Sequence, residues 1–255
     1  MEHSEMVRRY LSGYGVEIGA FKTPIPGIKP VYVDRFAEYA NEPTLAEYYG
    51  DACNLPFFAS SLRYVASSHV LEHVANPLAA LSEWFRVLRH GGIIYMVIPD
   101  RCRTFDHTRP LTSPDHLLAD YRQGTSQSDA THIDDFVYGV DWRLFSPSTP
   151  PSSEQAARDE LASIYHASAV AGREINLHYH TFESSSTVEL IEIGNREAIW
   201  PGRMEILQVA ECFPDSNPIG FLIVARVLKP WRDRGKALFA KRGLLPSARK
   251  LRGAA

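Results

Sequence analysis

Two short strings hold side chains able to do chemistry. The first is HVLEHV at 69–74, where His69, Glu72 and His73 stand at i, i+3 and i+4 and share one face if the segment is helical. Imidazoles and a carboxylate at that spacing can bind a divalent cation or pass a proton. The same string serves equally as a plain pocket wall. An arrangement without metal is favoured, with His69, Glu72 and His73 the residues that would hold an ion. The second string is INLHYH at 175–180, in which Ile175, Leu177 and Tyr179 alternate with Asn176, His178 and His180. A period of two predicts a strand with both histidines on one face, where either could act as a base or simply bond to backbone. Between these strings, DRCRTFDHTRPLTSPDH at 100–116 gathers Asp100, Arg101, Arg103, Asp106, His107, Arg109 and His116. Such a set suits phosphates, carboxylates or a polyhydroxylated sugar, and it also suits a loop paired within itself. Asp100 can hold a hydroxyl or cap the segment behind it. Trp142 and Trp200 can stack on a sugar ring or pack.

The elements that must position these groups are legible from periodicity. Short β-rich runs at Val16 to Ile18, Val31 to Val33, Arg63 to Ala66 and Ile93 to Ile98 alternate with helical patterns, predicting a mostly parallel sheet flanked by helices. The runs stop on Gly19, on Asp34, on Ser68-His69 and on Pro99-Asp100, with Asp51-Ala52 opening another turn. The stretch from Arg35 to Tyr49 reads as helix interrupted by Pro43. A helix over Leu78 to Leu88 aligns Leu78, Leu81, Phe85 and Leu88, with Asn76 and Pro77 as its start and Gly91-Gly92 as its stop. Within the irregular 101–180 stretch, Ser152 and Gln155 predict a capping box for a helix to Ala171 with Leu161, Ile164 and Tyr165 inward. A helix over Phe182 to Ile193 and strands at Met204 to Glu211 and Phe221 to Leu228 complete the core.

In an open α/β sheet, ligands sit beyond the carboxyl ends of the strands. A glycine there lets backbone approach a ligand, and an acid at the next strand end can accept two ribose hydroxyls. In series, VEIGA at 16–20, VYVD at 31–34, DACNLPF at 51–57, SSHVLEHVANP at 67–77 and EWFRVLRHGG from 83 resemble class I S-adenosylmethionine-dependent methyltransferases, in the group that includes sugar and quinone methyltransferases. The resemblance implies a Rossmann-like fold with a seven-stranded, mostly parallel sheet, an antiparallel last strand and a large insertion after the fifth strand. It also implies S-adenosyl-L-methionine as cofactor. Glu17, Gly19 and Ala20 would form the first cofactor motif, Asp34 would take the ribose, Asp51 and Ala52 the adenine, and Ser68 and His69 the methionine and methyl. His178, His180, His69 and Asp100 are then the catalytic candidates. The HVLEHV segment is also similar to the ExxEH segment of metal-assisted small-RNA methyltransferases, with His69 in place of the first Glu. The family usually has a second glycine in the first loop, where this chain has Ala20 and Phe21; GxGxxG is absent, which disfavours a dinucleotide.

A chain of 255 residues with 45% hydrophobic and 22% charged content can bury one substantial core. It reads as one domain over 1–230: a cofactor half at 1–100, a lid or substrate insertion at 101–180, a completion of the sheet at 181–230, and a basic tail at 231–255. The tail has eight Lys/Arg against one Asp; its +7, set against the overall −3, leaves −10 on the rest. The tail can make weak contact with an anionic membrane surface or be merely solvated, and the acidic body makes nucleic acid an unsuitable partner. Three distant cysteines suggest reduced thiols, and no signal or spanning segment is visible, so a cytoplasmic protein is expected, with peripheral contact at the inner membrane face the variant the tail allows. The leading reading is O-methylation of a sugar, nucleotide-linked sugar or glycan, with a small-molecule or glycan acceptor. The alternatives are a small aromatic or lipid-linked acceptor, and a non-catalytic binding protein of the same fold.

Overall fold

Short apolar runs that end on glycine or acid build the sheet that carries the site. The computed structural model describes residues 1–39 and 41–231. Along the chain come α1 (His3–Tyr10), β1 (Gly15–Ile18), β2 (Val31–Asp34), the two-residue strands β3 (Glu38–Tyr39) and β4 (Glu42–Pro43), β5 (Tyr48–Tyr49), β6 (Leu62–Ser68), α2 (Pro77–Val87) and β7 (Leu88–Pro99). The insertion follows with α3 (Pro114–Gln123), α4 (Ile133–Gly139), α5 (Trp142–Phe145) and α6 (Glu154–Val170). Helix α7 (Ser184–Arg196), β8 (Arg203–Phe213) and β9 (Gly220–Leu228) complete the fold. The seven-stranded sheet has the order β5-β2-β1-β6-β7-β9-β8, parallel except for β9, which runs antiparallel to both neighbours. This is the Rossmann-like arrangement expected from the sequence, mostly parallel with an antiparallel last strand and an insertion after the fifth. The strand order reverses direction between β1 and β6, which opens a crevice at their carboxyl ends.

Both sheet faces are covered, and β7 shows why its sequence is almost wholly apolar. Ile94, Met96 and Ile98 pack with Leu78, Leu81, Trp84 and Phe85 of α2 and with Leu190 and Ile191 of α7. Tyr95 and Val97 face the other way, toward Met6 and Val7 of α1. The insertion has a small core of its own, with Phe136, Val137, Trp142, Ala162, Leu177 and Tyr179 packed around Ala75. Helix α2 begins as predicted: Asn76 Oδ1 accepts from Ala79 N at 3.0 Å, followed by Pro77. It ends at Leu88 without using a glycine, because β7 starts there and runs through Gly91-Gly92.

Three expectations need correction, and of the two readings of Trp142 and Trp200 the packing one holds. Residues 35–49 form no helix: β3 and β4 pair antiparallel across Asn41, whose φ is +62°, and Pro43, lacking an N–H, sits in a strand register where helix would need a donor. Helix α6 is capped at Ser153 with no side-chain bond, and Ile164 is 53% exposed while Leu161 and Tyr165 do pack inward. The 175–181 segment is not a strand. Ile175 N donates to Gln127 O and Tyr179 N to Glu72 O, so Leu177, His178, Tyr179 and His180 are all buried whatever their parity, while Asn176 stays exposed. Trp142 and Trp200 are core residues, with Trp200 stacked on Phe85 and its Nε1 donating to Asn195. Among the described residues no helix is long and apolar enough to cross a membrane, and Cys53, Cys102 and Cys212 are free thiols. Nearly all of the basic tail, from 232 onward, lies outside the described residues.

Asn76 ties the cofactor half to the insertion, since its Nδ2 also donates to Asp120 O at 3.1 Å. Losing a cap and a buried bond costs about 1–3 kcal/mol, so Asn76→Ala should lower the thermal midpoint by several degrees. Asn76→Ser, which keeps a capping oxygen and drops the Nδ2 donor, should fall between the two in circular dichroism melts; equal midpoints for all three proteins would refute the tie.

Candidate active site

The crevice at the ends of β1, β2 and β6 encloses about 270 Å³ and is lined by Gly19, Asp34, Ala52, Ser68, His69 and His73, among others. Gly19 takes φ +68°, and a Cβ there would come within 2.6 Å of Val70 Cγ2, so backbone fills a place no side chain could share. Asp34, at the end of β2, accepts from Phe36 N through Oδ1 at 3.1 Å, and burial raises its carboxyl. Phe21 lines the crevice with φ +46°, so it holds the left-handed backbone of the glycine it replaces. Two of the cofactor candidates lie just behind the lining. Ala20 is buried, and Asp51 is occupied by Cys53 N at 2.6 Å and Arg35 Nε at 3.2 Å. Arg35 also pairs with Glu174, clamping the insertion to the crevice rim.

Glu17 faces away from the crevice. Its register partners are Tyr32 and Ala66, which places it on the α1 face, where Oε1 accepts from Ile25 N at 2.8 Å and Oε2 has no partner. It therefore braces the first loop from behind, and burial pushes its carboxyl up to about 7.

The crevice floor is a short turn, Leu71–His73, preceded by His69 at φ +55°. Glu72 is 1% exposed, its Oε1 lying 3.7 Å from His69 Nδ1 and 4.0 Å from His73 Nε2, and neither of its oxygens has a hydrogen-bond partner. Burial pushes its carboxyl up to about 7 and the His73 imidazole down to about 3, the latter helped by the charge of His178. His178 stands edge-on to His73 at 4.6 Å and donates from Nδ1 to Asp106 Oδ2 at 2.5 Å. Burial works to raise the Asp106 carboxyl, but the bond from His178 and the Arg109 guanidinium hold it below the usual range. A cleft-facing imidazole, His69, thus stands over a buried carboxyl, a second imidazole and a fixed acid. Burial first, and then the charge of His178, lower the His69 imidazole, so it stands neutral with a lone pair open to a proton from the crevice.

His180 does not join His178. It turns instead toward Asp120 and His132, because the segment that carries both is not a pleated strand. Asp100 caps the Arg101–Arg103 turn through Oδ1, accepting from Cys102 N at 2.9 Å. The guanidiniums of the insertion are largely spent internally: Arg101 bonds Glu183 and the carbonyl of Arg109, and Arg109 is held by Asp106 and Asp135. Sequence reasoning missed Phe21, Gln127, Ile175 and Asn176 as crevice lining. Only position 175–176, beside the histidine string, offered a signal.

The fold and site define a crevice at the carboxyl ends of a parallel sheet, with a histidine–carboxylate floor. Residues 28–96 match the family described as "Methyltransferase domain", which supports a methyltransferase. An uncharacterized 37.1 kDa protein in transposon TN4556 of Streptomyces fradiae is 33% identical over 97 residues, a match covering 34% of this chain and 28% of that protein. Among solved structures, a SAM-dependent methyltransferase from Methanosarcina mazei is similar with a TM-score of 0.47 and 17% identity, covering 90% of this chain and 100% of that one. A SAM-dependent methyltransferase from Thermotoga maritima, described as a possible histamine N-methyltransferase, gives 0.46 and 16% over 89% and 88%.

The place of Glu17 is checked by pH. Its folded carboxyl is raised from 4.5 to about 7, so its favourable contribution is complete below about 4.5 and is lost as pH rises through about 7. Glu17→Gln keeps the bond from Ile25 and cannot ionise. It should melt higher than the parent at pH 8, by at most about 3 kcal/mol, with the gap closing toward pH 4.5. A gap independent of pH would place the charge elsewhere.

Proposed function

We propose that this chain is an S-adenosylmethionine-dependent methyltransferase that methylates a hydroxyl of a sugar, nucleotide-linked sugar or glycan end. The observation carrying this reading is that Gly19, Asp34, His69 and His73 line one crevice at the reversal of the sheet, with Glu72 and His178 buried behind His73. Gly19 admits close backbone approach, Asp34 can accept ribose hydroxyls, Ala52 borders the adenine position, and Ser68-His69 border the methionine position. S-adenosylmethionine, when bound, supplies an electrophilic methyl group on a sulfonium. The residues then have two tasks: aligning the acceptor oxygen with that methyl, and taking the hydroxyl proton. His69 is placed to take it, with Glu72 behind. A neutral imidazole facing the crevice better suits an alcohol, whose own pKa lies far above neutrality, than an amine that needs less help. An aromatic or lipid-linked acceptor, reached with help from the basic tail, is the alternative; vesicle co-sedimentation of the full chain against one truncated at Lys229 separates the two.

A second reading has its own observation. Ligand atoms of Glu72, His73 and His178 lie within 4.8 Å of one another, and a buried carboxylate without a partner is costly. These donors fit a divalent cation, which when bound there would lower the pKa of an acceptor hydroxyl. Activity lost on chelation and restored by added metal supports this reading; activity surviving both chelation and Glu72→Ala excludes it.

Calorimetry with S-adenosylhomocysteine tests the main proposal. The parent should bind, and Asp34→Ala should weaken binding by about 10–100-fold, the value of hydrogen bonds to a charged acceptor. Labelled S-adenosylmethionine should transfer its methyl to nucleotide-sugar or glycan pools. No binding by the parent would leave a non-catalytic protein of this fold, and binding without transfer to any such pool would remove the sugar acceptor.

A further inference from the structure

The insertion contains a second cluster, separate from the crevice floor. His116 and Asp120 stand one turn apart on α3, His132 ends the Ala130–His132 turn, and His180 arrives from the segment after α6. His116 Nε2 lies 2.8 Å from His132 Nε2, and Asp120 Oδ2 lies 3.2, 3.5 and 3.7 Å from the Nε2 atoms of His116, His132 and His180. All four donor atoms fall within 4.8 Å of one another. A tetrahedral site with metal–ligand bonds of about 2.0–2.1 Å has donor–donor edges of about 3.3 Å, and the four measured edges bracket that value.

Hydrogen bonding alone does not account for the cluster. Asp120 is 6% exposed, and its Oδ2 makes no hydrogen bond of acceptable geometry although three imidazoles surround it. One proton between His116 and His132 can serve only that contact. A cation would serve all four donors at once. The outer contacts are those of ligands held in orientation: Thr125 Oγ1 donates to Asp120 Oδ1 at 2.9 Å, and Thr131 Oγ1 lies 2.8 Å from His132 Nδ1. His116 is half-exposed and gives a path from solvent. His180 Nε2 also lies 3.2 Å from the Ala75 carbonyl oxygen, so three or four protein ligands are distinguishable outcomes.

We propose that His116, Asp120, His132 and His180 form a structural site for a divalent transition metal of the zinc class. Three imidazoles and a carboxylate are the donors such an ion selects, and a set closed by protein ligands is structural in kind. The ion would join α3 to the 130–132 turn and to the segment that places His178 in the crevice two residues before His180. The insertion would then be ordered by metal, independently of the methyl acceptor.

The test uses the full chain, stripped with chelator and dialysed, then titrated with Zn2+ against a chromophoric competitor and loaded separately with Co2+. The parent should bind Zn2+ with a Kd tighter than about 1 µM, gain thermal stability, and show the visible bands of tetrahedral Co2+. His116→Ala should weaken Zn2+ about 100-fold or more and lose those bands, while Glu72→Ala keeps both. His116→Cys, at a half-exposed helix position, should retain the ion and add a thiolate-to-Co2+ charge-transfer band in the near ultraviolet. His180→Ala separates a four-ligand from a three-ligand site by whether the Co2+ bands persist. The proposal is overturned if the parent binds no Zn2+ in this range, if only Glu72→Ala removes the bound equivalent, or if folded His116→Cys shows no charge-transfer band.

Discussion

A guanidinium taken out of water must find partners for its whole fork of donors, and Arg109, 1% exposed, sets the geometry of the insertion by doing so. Its Nη1 donates to Asp106 at 2.7 Å, its Nη2 to Asp135 at 2.6 Å and to the Tyr179 carbonyl at 3.3 Å, and its plane lies near the ring of Phe136. Even the neighbouring backbone conforms: a Cβ on Gly139 would come within 2.9 Å of Arg109 Cγ. Three separate stretches of the insertion are thus fixed around one charge. Removing Asp106 or Arg109 leaves its partner a buried unpaired charge, which costs about 3–5 kcal/mol, whereas Asp135 is half-exposed and contributes less.

What this set delivers to the crevice is His178. Asp106, oriented by Arg109, accepts the His178 Nδ1 proton and so fixes the ring's tautomer and direction. His178 then meets His73 edge-on and brings a ring nitrogen near Glu72. On the other flank, Arg35 reaches from the end of β2 to Asp51 and to Glu174 of the insertion. The insertion is therefore coupled to the cofactor half at two places, one buried and one at the rim. Of the two, the rim pair is partly solvated and weaker, so any opening of the crevice would begin at Arg35–Glu174 and pivot on the buried set.

How much of this was legible in the sequence follows from what each signal physically encodes. Apolar runs buried on both faces announce a parallel sheet, and the residues at their ends, Gly19, Asp34 and Ser68-His69, are where the crevice forms. Periodicity failed where tertiary contacts replace it. The 175–181 segment alternates perfectly yet pairs with no strand, its amides going to Gln127 and Glu72, so His178 and His180 diverge into different clusters. Residues 35–49 carried a helical pattern that Pro43 cannot sustain. His116 and Asp120 have the i, i+4 spacing that puts two donors on one helix face, a signal masked by the crowd of charges around it. Asp106 and Arg109 were visible only as polar residues of a loop, because burial of a charged pair depends on partners 26 and 72 residues away.

The departure in the first loop reads differently once its backbone is known. Phe21 stands where a glycine is usual, and a left-handed φ costs a residue with a Cβ about 1–2 kcal/mol. Neighbouring bonds hold it there: Leu45 N donates to Phe21 O at 3.0 Å and Thr23 N to Ala20 O at 2.9 Å. Glu17 fixes the same loop further on through Ile25. Phe21 thereby places an aromatic ring in the crevice wall, and the bonds from Leu45 and Thr23 offset the strain of its backbone.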